Sequence, residues 1–66
     1  MVHINGKDVA VEGMTLEQYL LENGYKKEQI AVECNEEIIP KAEYSERILQ
    51  DGDVVEIVSF VGGGSQ

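Results

Sequence analysis

The residues best suited to chemistry lie at the end of the chain, where Phe60 and Val61 are followed by Gly62, Gly63 and Gly64. Glycine has no Cβ and adopts backbone angles closed to other residues, so such a segment can straighten and enter a channel too narrow for side chains. A glycine carboxyl group that enters the channel of an enzyme in this way can serve as a reactant. Glycines near a terminus are also typical of frayed ends and engineered linkers, so the segment alone leaves both interpretations open.

Other candidate reactive groups are sparse. Cys34 is the only cysteine and His3 the only histidine, so one copy cannot form a four-ligand zinc site or a cysteine–histidine–carboxylate triad. We expect Cys34 in the core and His3 on the solvent face of an opening strand. Glu36 and Glu37 are adjacent, and adjacent strand residues point to opposite faces, so we expect neither an acid–base pair nor a metal site there. The internal residues therefore offer no candidate catalytic residue.

The composition predicts one small acidic domain. Thirteen acidic and five basic side chains among 66 residues give a formal charge of −8, which disfavours nucleic acids and anionic membrane surfaces as partners. The same charge favours a basic groove on a protein partner, or serves solubility alone. No apolar run approaches a membrane helix in length, and the first residues lack the pattern of a secretion signal, so we expect a cytoplasmic protein.

The first half of the chain predicts a hairpin and then a helix. Alternating apolar residues flank Asn5 and Gly6. Asparagine and glycine both accept the positive φ that a tight hairpin turn requires. Thr15 predicts the helix start, with Gln18 completing a capping box, and Gly24 predicts its end. One helix face carries Leu16, Tyr19 and Leu20.

The second half predicts three strands and a helical turn. Residues 30–34 alternate with period two, and residues 38–39 form a short edge strand that Pro40 ends. Residues 42–50 suit a helical turn that packs Tyr44, Ile48 and Leu49 on the core. Residues 54–61 are apolar on both faces apart from Glu56 and Ser59, which favours a central strand, parallel to the opening strand.

These elements predict an α+β fold in which one main helix packs across a mixed sheet of four to five strands. Residues 1–61 would form the domain and residues 62–66 a flexible glycine-rich tail. The central strand would hold Val61, and three extended glycines would reach about 10 Å beyond it.

Four segments in order resemble a known family. The chain is similar to the ubiquitin-like β-grasp sulfur carriers, and most of all to those of thiamine biosynthesis. The resemblance covers nearly the whole chain and is carried by Ile4-Asn5-Gly6-Lys7, Val32-Glu33-Cys34-Asn35-Glu36-Glu37-Ile38-Ile39-Pro40, Asp51-Gly52-Asp53-Val54-Val55-Glu56-Ile57 and Phe60-Val61-Gly62-Gly63-Gly64.

The resemblance implies a chemistry. In such carriers an ATP- and Mg-dependent adenylating enzyme (ThiF/MoeB-like) converts the terminal glycine carboxylate into an acyl-adenylate. Sulfur from a cysteine desulfurase then displaces AMP to leave a thiocarboxylate, which thiazole synthase accepts. Gly64 would be the sulfur acceptor. Gly62 and Gly63 would form the narrow part of the tail that enters the active site of the partner, and Phe60 and Val61 would form the partner-binding base of the tail. The domain would bind no cofactor and act as a co-substrate.

Ser65 and Gln66 depart from this pattern, because family members ordinarily end at the reactive glycine. A processing protease removes them, or they are an engineered addition, or this copy has lost carrier activity; we favour removal. A tail that needs removal also suits an alternative, a carrier for cysteine, methionine or molybdopterin synthesis. A third possibility is a β-grasp module that binds a partner non-covalently through its sheet.

Overall fold

The computed structural model describes residues 1–60, so residues 61–66 lie outside it. The predicted division into a domain of residues 1–61 and a tail of residues 62–66 therefore stays a prediction. The described strands and α-helix are β1 (Val2–Ile4), β2 (Lys7–Val9), α1 (Leu16–Glu22), β3 (Ile30–Cys34), β4 (Glu37–Ile38) and β5 (Val54–Ser59). Single turns of 3₁₀ helix lie at Lys27–Gln29 and Lys41–Glu43.

The strands form one mixed sheet in the order β2-β1-β5-β3-β4. β5 is central and parallel to β1, as the sequence predicts, and it is antiparallel to β3. β4 lies at an edge, also as predicted, but it comprises Glu37–Ile38 and not residues 38–39. β5 ends at Ser59, two residues before the predicted end, and Phe60 follows in a bend.

The turn between β1 and β2 confirms the predicted hairpin. Asn5 has a φ of 50° and Gly6 a φ of 82°, the left-handed values that a tight primed turn requires at both positions. The register places Val2 opposite Val9 and Ile4 opposite Lys7. The two strands thus pair as the alternation of apolar residues predicts.

Two asparagine side chains extend the pairing of β5. The side-chain Oδ1 of Asn5 accepts a hydrogen bond of 2.8 Å from the Ile57 amide, and its Nδ2 donates to the Ile57 carbonyl at 3.3 Å. Asn35 Oδ1 accepts from the Val54 amide at 2.9 Å. Each side chain satisfies backbone groups that the neighbouring strand no longer reaches. The residue pattern alone does not predict this support.

Helix α1 begins as predicted, but its capping box is incomplete. Thr15 Oγ1 accepts from the Gln18 amide at 3.1 Å. The Gln18 side chain does not return to the cap; its Nε2 donates to Glu22 one turn later, at 2.8 Å. A partner four residues away on the same helix face competes with the cap for this amide. The helix ends at Glu22, and Gly24 follows with a φ of 77°.

The core lies between α1 and one face of the sheet, which we call the inner face. The 42–50 segment contributes Tyr44 and Leu49, as predicted, but Ile48 is exposed and pairs with Thr15 in an isolated β-bridge. The predicted helical turn is a 3₁₀ turn that starts one residue early, at Lys41. The buried side chains are Val2, Ile4, Leu16, Leu20, Ile30, Val32, Cys34, Ile39, Tyr44, Leu49, Val55 and Ile57.

Candidate functional site

The end of β5 forms the base of the predicted reactive tail. Ser59 lies opposite Ile30 of β3, and the Phe60 amide donates to the Gln29 carbonyl at 3.1 Å. The central strand is thus paired through backbone hydrogen bonds up to the last described residue. Of the predicted site residues, Phe60 is described, whereas Val61, Gly62, Gly63 and Gly64 lie outside the described residues.

The ring of Phe60 projects from the sheet and is 59% exposed. The ammonium group of Lys41 lies 5.7 Å from the centroid of this ring, within the distance of a cation–π interaction. The same Nζ donates to the Ile30 carbonyl at 3.1 Å. Lys41 therefore connects the start of β3 to the end of β5. Sequence analysis missed this residue, because nothing in the chain shows which lysine lies beside the tail.

The sheet face opposite the helix is uncovered along β4, β3 and β5 within residues 1–60. Its side chains, which we call the open face, form cross-strand rows: Ile38 opposite Glu33, Glu33 opposite Glu56, and Ala31 opposite Val58. Ile38 is 74% exposed and Val58 58% exposed. Apolar side chains surrounding two carboxylates are suited to a partner surface with an apolar contact and a cation opposite the acids.

Cys34 lies on the inner face, away from this surface. It is 1% exposed, and Arg47 Nη2 donates to its Sγ at 3.2 Å. Burial raises the pKa of this thiol, and the hydrogen bond from Arg47 opposes that shift only in part. A buried neutral thiol is a poor nucleophile. The predicted core position of Cys34 is confirmed, and its thiol is not a candidate reactive group.

The remaining polar candidates are placed as follows. His3 is half-buried, and its Nδ1 is hydrogen-bonded to the carboxylate of Asp8 across the hairpin. Glu36, with a φ of 71°, and Glu37 are both exposed at the turn between β3 and β4.

Within residues 1–60, no group of three or more histidine, cysteine, aspartate or glutamate side chains is arranged to hold a metal ion. No helix of that segment is long and apolar enough to cross a membrane.

Comparison with known proteins identifies the type of domain to which this site belongs. Residues 2–64 match the model of the ThiS family. The chain is 47% identical to the sulfur carrier protein ThiS of Bacillus subtilis, and the alignment covers 97% of this chain and 100% of that protein. It is 46% identical to a thiazole synthase of Paramagnetospirillum magneticum over 94% of this chain, but spans only 19% of that protein.

A solved structure shows the same fold. The thiamine biosynthesis protein (ThiS) of Geobacter metallireducens superimposes with a TM-score of 0.75 at 28% identity, covering 96% of this chain and 97% of the other. Together with the five-stranded mixed sheet and the single α-helix of residues 1–60, this likeness confirms the predicted β-grasp architecture.

Proposed function

This chain belongs to the ThiS family, and from that premise we propose that it is a sulfur carrier protein of thiamine biosynthesis. Its C-terminal glycine is adenylated and converted to a thiocarboxylate, whose sulfur enters the thiazole ring. The single observation that carries the proposal is the family match, which runs through Gly62 and Gly63 and ends at Gly64.

The domain supplies the reacting carboxylate and leaves catalysis to its partners. A carboxylate is a poor electrophile, because its charge repels nucleophiles and it has no good leaving group. A ThiF/MoeB-like enzyme, using ATP and Mg, joins one oxygen of Gly64 to AMP and releases pyrophosphate, and its cationic groups stabilise the charge that develops. A cysteine desulfurase persulfide then attacks the acyl-adenylate and expels AMP, and a second thiol reduces the resulting acyl disulfide to the thiocarboxylate while that thiol is oxidised to a disulfide. In this scheme the chain is a co-substrate and binds no cofactor of its own.

The open face is the docking surface in this proposal. Val58 lies two residues before Phe60, near the end of β5. An enzyme bound to Ile38 and Val58 therefore lies close to the base of the reactive segment. The acidic pair Glu33 and Glu56 and the net charge of −8 favour a basic surface on that enzyme and a fast encounter.

Thiazole synthase is the proposed sulfur acceptor. A protein named thiazole synthase contains a segment similar to nearly all of this chain within its own much longer sequence. A carrier-like domain and a thiazole synthase joined in one polypeptide support a direct partnership between the two.

Ser65 and Gln66 must be removed before Gly64 can react, because a peptide bond occupies the carboxyl group. We propose that a protease makes this cut. The family match excludes both residues, which supports Gly64 as the functional terminus.

Intact-mass measurement tests the function. The chain ending at Gly64 is incubated with the adenylating enzyme of the same cell, ATP, Mg, a cysteine desulfurase, cysteine as the sulfur source and an excess of a thiol as the reductant. We expect its mass to rise by the difference between one sulfur and one oxygen atom. The full chain and a chain ending at Gly63 are the controls, and neither should gain sulfur. A folded Gly64 chain that forms neither the acyl-adenylate nor the thiocarboxylate would contradict the proposal and favour a non-covalent binding module.

The pathway is tested separately. The thiocarboxylate form is offered to thiazole synthase, and product formation is compared with that from the untreated chain. Sulfur transfer to cysteine, methionine or molybdopterin synthesis, without transfer to thiazole synthase, would overturn the thiamine assignment and retain the carrier chemistry.

A further inference from the structure

Lys41 is held in place by the residues on both sides of it. Ile39 is buried, and its amide donates to the Val32 carbonyl at 2.9 Å. Tyr44 is buried on the other side, and its amide donates to the carbonyl of Lys41 at 3.1 Å. The backbone of Lys41 is thereby fixed to the core, although its side chain reaches the surface. The Lys41 side chain therefore extends from a fixed backbone position.

The ring of Phe60 has no such support from the core. It is more than half exposed, and the backbone hydrogen bond to Gln29 fixes the amide of Phe60 but leaves its side-chain torsions undetermined. The cation of Lys41 attracts the face of the ring, while the hydrogen bond to the Ile30 carbonyl holds that cation against β3. The backbone at the end of β5 is already paired with β3, and Lys41 adds a contact that holds the ring of Phe60.

We propose that Lys41 is a positioning residue for docking of the carrier: it holds the ring of Phe60 in the orientation that the adenylating enzyme contacts. The inference rests on the proposed function, since it concerns binding of the carrier by the adenylating enzyme. A side chain that is already held in its binding orientation loses less conformational freedom on binding.

This role predicts a particular kinetic signature. Lys41 touches neither the carboxylate nor the leaving group in this proposal, so its loss weakens binding of the carrier in ground and transition state alike. Such a change raises KM and leaves kcat unchanged. A lysine that contacted the reacting phosphate would instead lower kcat.

The test uses the chain ending at Gly64 and measures pyrophosphate release by the adenylating enzyme. Lys41→Met keeps the length of the side chain but removes its charge, and we expect KM to rise about threefold to tenfold with kcat unchanged. Lys41→Arg retains a cation and donors and should stay near the original KM. Lys26→Met, which removes the same charge at a lysine on the helix side of the molecule, is the matched control and should change KM little.

A double-mutant cycle tests whether Lys41 acts through Phe60. Phe60→Leu should raise KM, and adding Lys41→Met should raise it no further. In NMR spectra, the Lys41 side-chain methylene protons nearest Nζ should be shielded by the ring, and Phe60→Leu should abolish this shielding. Equal effects of Lys41→Met with and without Phe60, a fall in kcat, or an equal effect of Lys26→Met would each overturn the positioning role.

The two proposals fail in distinguishable ways. If the unmodified Gly64 chain is never adenylated, the proposed function fails and the positioning role falls with it, whatever the NMR spectra show. If that chain is adenylated and Lys41→Met reacts with unchanged KM, only the positioning role is overturned.

Discussion

The two faces of the sheet differ most clearly at Ile38 and Ile39. These residues are identical in type and adjacent in the chain, yet Ile38 is 74% exposed and Ile39 is 4% exposed. Neighbouring residues of an extended chain point to opposite sides, so one isoleucine belongs to the open face and the other to the core. The comparison separates two roles of apolar residues: on the inner face they stabilise the fold, and on the open face they remain available to a partner.

The separation matters because the domain is small. A single core of this size usually supplies about 3–5 kcal/mol of net stability. Substitutions on the open face should leave the free energy of unfolding nearly unchanged, whereas substitutions on the inner face should lower it. Binding and stability should therefore respond to different substitutions.

The largest expected effect is from Ile39→Ala. Removing a buried isoleucine side chain leaves a cavity and costs about 2–5 kcal/mol, which is comparable to the whole stability of the domain. Ile38→Ala, the matched control, should change the free energy of unfolding by about 0.5 kcal/mol or less. Urea unfolding followed by circular dichroism measures both. Equal losses at the two positions would show that the open face is buried in solution.

The intermediate effect concerns binding. Val58→Ala on the open face should raise KM for the adenylating enzyme about fivefold, since a central apolar contact is worth about 1 kcal/mol, and should leave unfolding unchanged. Leu21→Ala, at an exposed leucine on the helix side, is the control and should leave KM unchanged. If Leu21→Ala has the larger effect, docking occurs on the helix side and the proposed surface is wrong.

The smallest effect is chemical. A native chain should react slowly with a thiol reagent at Cys34, whereas a Cys34→Ala chain carrying Val58→Cys should react promptly at the open face.

The raised pKa of Cys34 also makes the stability of the domain depend on pH. Folding favours the neutral thiol, so the contribution of the thiol to the free energy of unfolding is fully present below the unfolded pKa of about 9. This contribution is lost as pH rises through the higher folded pKa.

This pH dependence can be isolated. Stability measured from pH 8 upward should decline, and the decline above about pH 9 should be smaller in Cys34→Ala. Hydrogen bonds from Asp51 and Glu12 raise the pKa of the Met1 ammonium group to about 10, and burial raises the pKa values of Tyr19 and Tyr44. The comparison between the two chains, and not the decline itself, therefore identifies the thiol. Prompt labelling of native Cys34 would contradict its place on the inner face.

Much of the fold follows from local patterns. Asn5-Gly6 predicts the hairpin, Thr15 the start of the helix, and the apolar run from Val54 the central strand, because each depends on neighbours in sequence. The misplaced features depend on contacts distant in the chain. Ile48 was expected in the core, but its bridge to Thr15 leaves it exposed. The apolar run of β5 predicts a central strand but not which of its side chains are exposed, and Val58 is exposed on the open face.

The candidate site was predictable in part. The glycines and Phe60 stand out from the sequence because a glycine run after an apolar strand is unusual and resembles a family. Lys41 does not stand out, since its partners Ile30 and Phe60 lie 11 and 19 positions away in the printed sequence. Such contacts arise only when the sheet brings β3 and β5 together.

The placement of β5 between β1 and β3 has a mechanical consequence. A pull applied at Phe60 along the strand loads the hydrogen bonds to both neighbouring strands in shear, together with those from Asn5 and Asn35, so many bonds must break at once. An edge strand would instead peel away bond by bond. The domain can therefore act as an anchor under tension, and an enzyme that draws the end of the chain into a tight channel would meet resistance from the whole sheet.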